Sequence, residues 1–222
     1  MPLHSKYAVN RSLIAPHLVF AGGEKSGNLF PGLAVADALH QLQPRMQITF
    51  AGCGNHGERR AVHAAGFAYQ GLPCPTGPVS WNGVLRHFKE NRHAARQARQ
   101  FLQQTGAVAV VGLGGLSSLP IARAATRAGV ALALLEQNAL PGKATQKLSS
   151  TASLVCLAFA ASRHRLAAAQ RVRITGGPVQ SGRLRAAAEQ PRGSRILITG
   201  GTEGAQHLNH AVPRALYKVG RL

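Results

Sequence analysis

Acidic residues are scarce in this chain: seven aspartates and glutamates stand against 26 lysines and arginines in 222 residues, a formal charge of +19. Such an imbalance exceeds what solubility needs and implies a polyanion or an anionic membrane as a neighbour. Cysteine is scarce too. Cys53, Cys74 and Cys156 are scattered, without CxxC spacing or a Cys/His cluster, which argues against a disulfide framework or a zinc centre and fits a reducing, cytoplasmic setting. No apolar run reaches the roughly 18–20 residues that cross a bilayer, and the opening MPLHSKYAVNR lacks the apolar core of a signal peptide. Any membrane association would therefore be peripheral. The histidines show no HExxH or paired metal spacing, so no metal site is read from them. Aromatics make up 5% of the chain and form no stacking motif of a nucleic-acid module, so nucleic acid is not read as a partner.

What the chain does have is 45% hydrophobic residues in an alternating order. HLVFA, MQITFA, VAVVG, ALALLE, SLVCLA, RVRIT and RILITG read as strands, most of them apolar on both faces as central parallel strands must be. Helical periods fall between them, at about 28–42, 57–65, 83–104, 117–129, 141–149, 162–169 and 204–219. This βαβα order predicts an α/β fold, a Rossmann-like doubly wound parallel sheet. Ligands in such sheets bind beyond the strand C-termini, which directs attention to the loops there.

Three of those loops are unusual. The first, AGGEKSGNLFPG, places glycines between a strand and a helix, where unpaired N–H groups favour an anion such as phosphate. It is not a Walker loop, because Gly22 to Gly27 is followed by Asn28 and Leu29 rather than Lys and Ser or Thr. A bare strand-to-helix turn explains it equally well. The second, VVGLGGLSSLP, is a degraded dinucleotide fingerprint over Gly112, Gly114 and Ser117, with Glu136 at a strand end about 20 residues on, where a ribose-binding acid would sit. A dinucleotide-dependent oxidoreductase is thus one alternative. The third, LLEQNALPGKATQKL, follows a carboxylate with two amides and Pro-Gly; its ligand-free reading makes Asn138 a helix cap and Pro141 the first helical residue.

Together, GGEKSGNLFPGLAVADAL, GLGGLSSLP, EQNALPGKATQKL, GGPVQ and LITGGTEGAQHLNHAVP resemble, in order and spacing, the MurG-type UDP-N-acetylglucosamine transferases that complete lipid II in peptidoglycan synthesis. The resemblance covers about residues 17–216 and implies a two-domain GT-B glycosyltransferase: an acceptor-binding domain over residues 1–177 and the start of a nucleotide-sugar domain over 178–222. It implies inverting transfer of GlcNAc from UDP-GlcNAc to the muramyl 4-hydroxyl of lipid I, the undecaprenyl-diphosphate-linked muramyl peptide, with no cofactor and no required metal ion. The family's first loop reads GGTGGH, its histidine being the proposed base; here the loop is one residue longer and sets Asn28 at that position. The catalytic positions implied are Asn28 and Glu136. Lys25, Ser26, Gly27, Asn138, Gln180 and Thr202 fall on the donor side, and Gly22, Gly23, Gly114, Gly115 and Ser118 on the acceptor side. Leu116 replaces a common tyrosine, and Gln180 an arginine of the family's GNPVR segment. The sequence stops about one βα unit into the second domain, so a catalytically inactive homologue that binds lipid or an anionic membrane is the other alternative.

The segment PVSWNGVLRHFKENRHAARQARQFLQQ sets Trp81, Val84, Leu85 and Phe88 at helical spacing, ahead of Arg92, Arg96 and Arg99. Such an amphipathic element can rest on anionic headgroups, although its later turns read equally as a surface helix packed on the sheet. By resemblance this is the region that docks on the cytoplasmic face of the cell membrane.

Overall fold

The computed structural model describes residues 15–23, 26–74, 84–166, 168–180, 196–200 and 205–220; the side chains of Ser26, residues 84–89 and residue 91 lie outside the description. The chain divides into two compact units, Met1–Ser181 and Gly182–Leu222.

In the first unit, seven strands form one sheet: β1 (His17–Ala21), β2 (Gln47–Gly52), β3 (Ala68–Gly71), β4 (Ala109–Gly112), β5 (Ala131–Glu136), β6 (Leu154–Leu157) and β7 (Val172–Ile174). All neighbouring pairs are parallel, in the order β3-β2-β1-β4-β5-β6-β7. The helices are α1 (Ser26–Leu42), α2 (His56–Ala64), α3 (Val84–Thr105), α4 (Leu119–Arg127) and α5 (Lys143–Leu148). They cover both faces. Alternate strand residues point opposite ways, so Val19, Val110, Leu132 and Val155 join one apolar cluster with Phe101 of α3 and Ile121 of α4. Phe20, Phe50, Val111 and Leu135 join another with Leu29 and Leu33 of α1 and Val62 of α2. Phe20 and Phe50 are fully buried and stacked at 4.9 Å, each burial contributing about 1.5–3 kcal/mol. This is the expected doubly wound α/β arrangement.

Local chemistry sets the element ends. Asn55 begins α2, its Oδ1 accepting the Gly57 N–H at 2.9 Å. Pro120 stands in the first turn of α4, where a missing N–H costs nothing. The region read as one helix over 117–129 begins as a 3-10 turn at Leu116–Ser118, and that over 162–169 is a 3-10 turn at Ala160–Arg165. Strand β3 was not foreseen from sequence. As an edge strand, AYQG carries no buried residue and offers no apolar face to recognise.

The second unit contains α6 (Gln206–Val219), which buries none of its residues. RILITG, expected as a strand, is irregular over its described residues 196–200, with Ile196 and Leu197 86% and 88% exposed. A strand is defined by its ladder partner, and no ladder forms here among the described residues.

Candidate active site

Because every strand of the sheet is parallel, the loops after β1, β4, β5, β6 and β7 emerge at one edge. Strand order reverses between β1 and β4, the switch point beyond which open α/β sheets bind their ligands in a crevice. The two glycine loops meet there. The ladder continues into both turns, with Gly22 N–H donating to the Ala51 carbonyl at 2.9 Å and Leu113 N–H to that of Ala21 at 2.8 Å. Gly22 has φ +99° and Gly114 φ +85°, a region that glycine enters without strain. A Cβ on Gly22 would lie 2.5 Å from the Gly114 carbonyl oxygen and 3.0 Å from Ser118 Cβ. Only glycine permits so close an approach.

Asn28, half-buried in the first turn of α1, reaches over the second loop: its Nδ2 lies 3.5 Å from where a Gly114 Cβ would stand. Ser118 is fully buried, and its Oγ donates to the Gly115 carbonyl at 2.9 Å, holding the turn closed. The Ser117 Oγ is buried with no hydrogen-bond partner among the described residues. Thus Gly22, Asn28, Gly114 and Ser118 form one cluster, with Gly23 and Gly115 flanking it.

Glu136 ends β5 and is 3% exposed. Its Oε1 accepts the Asn138 backbone N–H at 2.9 Å and Asn138 Nδ2 at 2.8 Å, while Oε2 accepts the Gly142 N–H at 2.9 Å. On the other side of this loop the buried Ser162 Oγ donates to the Asn138 carbonyl at 2.6 Å, and Gln146 Nε2 donates to that of Pro141 at 2.8 Å. Both Glu136 oxygens are therefore engaged in shaping the EQNALPG loop. They are not presented to a ribose, which removes the feature that favoured a dinucleotide enzyme. The Asn138 side chain donates back to Glu136 rather than capping a helix, and α5 starts only at Lys143. Gln137 turns toward the GGPVQ segment, its Oε1 3.7 Å from a Cβ position on Gly177; Gln180 is half-buried.

Lys25, Thr202 and Trp81 lie outside the described residues, as do the side chains of Ser26, Val84, Leu85 and Phe88. Gly27 is exposed in the first turn of α1. His17 sits at the start of β1, at the opposite edge from the crevice, bonded to Thr49 Oγ1 at 2.9 Å. Burial lowers its pKa below 6.5. Two residues that sequence reasoning passed over, the buried Glu58 and the half-buried Tyr69, form a pair near the first glycine loop, at 2.7 Å. No pattern in the sequence joins a helix carboxylate to an edge-strand tyrosine eleven residues on.

Among the described residues no group of three His, Cys, Asp or Glu side chains could hold a metal ion, and no helix is long and apolar enough to cross a membrane. A groove of about 640 Å³ runs between α3 and α4, lined by Arg92, Arg96, Arg99, Gln103 and Arg127.

Residues 18–156 match the glycosyltransferase family 28 N-terminal domain. A curated relative from Salinibacter ruber, named UDP-N-acetylglucosamine--N-acetylmuramyl-(pentapeptide) pyrophosphoryl-undecaprenol N-acetylglucosamine transferase, is 31% identical over 91% of this chain and 57% of its own length. One of the same name from Chlorobaculum parvum is 33% identical over 89% of this chain and 57% of its own. The crystal structure of Acinetobacter baumannii MurG superposes with a TM-score of 0.68 at 29% identity, covering 90% of this chain and 55% of that one. The chain thus spans a little over half the length of the relatives it matches.

Proposed function

Since the chain belongs to glycosyltransferase family 28, matching its N-terminal domain over residues 18–156, we propose that it serves the transfer of N-acetylglucosamine from UDP-GlcNAc to lipid I, and that its crevice between β1 and β4 is the acceptor site. The names of the relatives supply the reaction. The observation that carries the reading to this chain is the contact of Gly22 with Gly114 under Asn28 at the sheet's switch point.

In this reading the acceptor's diphosphate lies against the half-buried turn at Gly114–Gly115, whose backbone a ligand can approach closely, with the buried Gly22–Gly23 turn supporting it from beneath. A ligand oxygen there would also supply the partner that the buried Ser117 hydroxyl lacks among the described residues. Glu136 works through the EQNALPG loop: it sets the place of Asn138, which we assign to the donor; the family's pattern assigns Lys25, Ser26, Gly27, Gln180 and Thr202 to the donor as well. The domain holding the acceptor spans residues 1–177, and the donor domain begins at 178.

Inverting transfer forms a bond from the acceptor oxygen to the anomeric carbon, breaks the bond to UDP, and releases the hydroxyl proton to a base. Asn28 stands where the family carries a histidine. Its carboxamide can orient the hydroxyl but cannot accept its proton near neutral pH. That residue specifically favours a second reading, a homologue that binds the lipid-linked acceptor without turning it over. In either reading α3 faces the membrane from the cytoplasmic side, and the arginine groove between α3 and α4 meets anionic headgroups.

Labelled GlcNAc transfer from UDP-GlcNAc to a short-chain lipid I analogue decides between the readings. Slow turnover, raised about 10²- to 10⁴-fold by Asn28→His, supports the transferase. Acceptor binding without turnover in either form supports the inactive homologue. Neither binding nor turnover removes both.

A further inference from the structure

A carboxylate that the glycine motifs do not account for lies beneath the first loop. Glu58, in the first turn of α2, is one of only seven acidic residues in the chain and is 4% exposed. The Tyr69 hydroxyl donates to its Oε2 at 2.7 Å and accepts the Gly54 N–H at 2.9 Å. Burial, and then the adjoining carboxylate, raises the Tyr69 pKa well above its ordinary value, so the hydroxyl remains a donor at neutral pH.

Gly52 makes room for this carboxylate, and Gly23 lies beside it. A Cβ on Gly52, at the end of β2, would collide with Glu58 Oε1 and stand 2.5 Å from its Cδ. A Cβ on Gly23, whose φ is +109°, would lie 3.5 Å from Glu58 Oε1 and 3.0 Å from Leu29 Cδ1. Glu58 is therefore wedged between the end of β2 and the turn leading from β1 into α1. Leu29, the residue after Asn28, borders the same Gly23 position and is itself 4% exposed. The carboxylate adjoins the loop on the side of Gly23, while Gly114 and Ser118 adjoin it on the side of Gly22.

We propose that Glu58 is a positioning residue for the acceptor site: held by Tyr69 against Gly52, it fixes Gly23 and the first turn of α1, and through them the place of Asn28 over Gly114. This rests on the reading of the β1–β4 crevice as the acceptor site. Gly52 is accordingly a spacer for a carboxylate rather than a turn residue, and the first glycine loop takes its shape from α2 as well as from its own sequence.

The test uses the full chain with Gly52→Ala, which keeps the carboxylate but pushes it from its seat. The double variant Gly52→Ala/Glu58→Asp shortens the acid by one methylene and gives back the space. Val155→Ala, a cavity on β6 in the other apolar cluster, serves as the control for lost stability alone. Amide hydrogen exchange over residues 20–30 and the calorimetric Kd of a short-chain polyprenyl-diphosphate-linked N-acetylmuramyl pentapeptide are read for each. Gly52→Ala should speed exchange over 20–30 and weaken the Kd about 10- to 100-fold, Gly52→Ala/Glu58→Asp should restore most of both, and Val155→Ala should lower Tm while changing neither. Wild-type exchange and Kd in Gly52→Ala, or changes no different from those of Val155→Ala, overturn the inference. If the wild-type chain does not bind the analogue, the acceptor reading fails by itself. Exchange then decides alone: acceleration with rescue upholds Glu58 as the support of the loop, and unchanged exchange overturns it. Should Gly52→Ala not fold, Tyr69→Phe, which removes the hydroxyl without adding volume, carries the same comparison against Val155→Ala.

Discussion

Replacing Glu136 by alanine tests whether the EQNALPG loop is held by one carboxylate. Three donors lose their acceptor: the Asn138 N–H, Asn138 Nδ2 and the Gly142 N–H. Hydrogen bonds to a charged group contribute about 1.5–3 kcal/mol each, but the three losses are unequal. Asn138 is exposed, so water replaces most of what its two donors lose; Gly142 is half-buried, and its N–H bears more of the penalty. A net cost of about 3 kcal/mol follows, or roughly 6–12 °C in Tm for a unit of this size. Glu136→Gln should cost about half as much, since its carbonyl oxygen can still serve Asn138 while its amide meets the Gly142 N–H as donor against donor. Thermal unfolding followed by circular dichroism, with amide exchange over residues 137–142, provides the assay. If Glu136→Ala loses less than about 0.5 kcal/mol, the magnitude of an ordinary surface change, or leaves exchange in the loop unaltered, the reasoning that makes Glu136 the organiser of this loop is refuted.

Ser162→Ala removes the clamp on the opposite side of that loop, where the buried Oγ donates to the carbonyls of Asn138 and Ala139 at 2.6 and 3.2 Å; unfolding should show a loss of about 1–3 kcal/mol. The lowered pKa of His17 means that the unfolded chain binds its proton first as pH falls. Its contribution to stability is therefore present above about pH 6.5 and lost progressively below it, so Tm should fall less between pH 7.5 and 5 in His17→Gln than in the wild type. Arg96→Gln/Arg99→Gln should weaken sedimentation with phosphatidylglycerol vesicles by about 1 kcal/mol per arginine and leave the weak binding to phosphatidylcholine unchanged.

Strands β1, β2, β4, β5, β6 and β7 were legible because each is an apolar or β-branched run bounded by turn residues, and ALALLE matches β5 at both ends. Strand β3 was not, since an edge strand with an exposed face alternates too weakly to stand out from a loop. RILITG carries as strong a strand signal as any in the chain, yet it forms no ladder among the described residues, because pairing depends on a neighbour that periodicity cannot see. At the site, the loop glycines were readable from strand–glycine–helix order, and their meeting followed once the strand order was known. Glu136 was singled out for its place at a strand end, but its partners could not be inferred, as Gly142 returns to it across six residues of irregular chain. Glu58 was silent for a stronger reason. Its significance arises from the space left by Gly52, and an absent side chain leaves no pattern.

The most direct measurement is calorimetric binding of a short-chain polyprenyl-diphosphate-linked N-acetylmuramyl pentapeptide to the wild-type chain and to Gly114→Ala. The alanine must adopt φ +85°, and its methyl would stand 3.5 Å from Asn28 Nδ2. Saturable binding by the wild type, weakened about tenfold or more by the substitution, a loss of at least 1.4 kcal/mol, is the result predicted for an acceptor site between β1 and β4. No binding by a folded wild-type chain, or binding to which Gly114→Ala makes no difference, would contradict it.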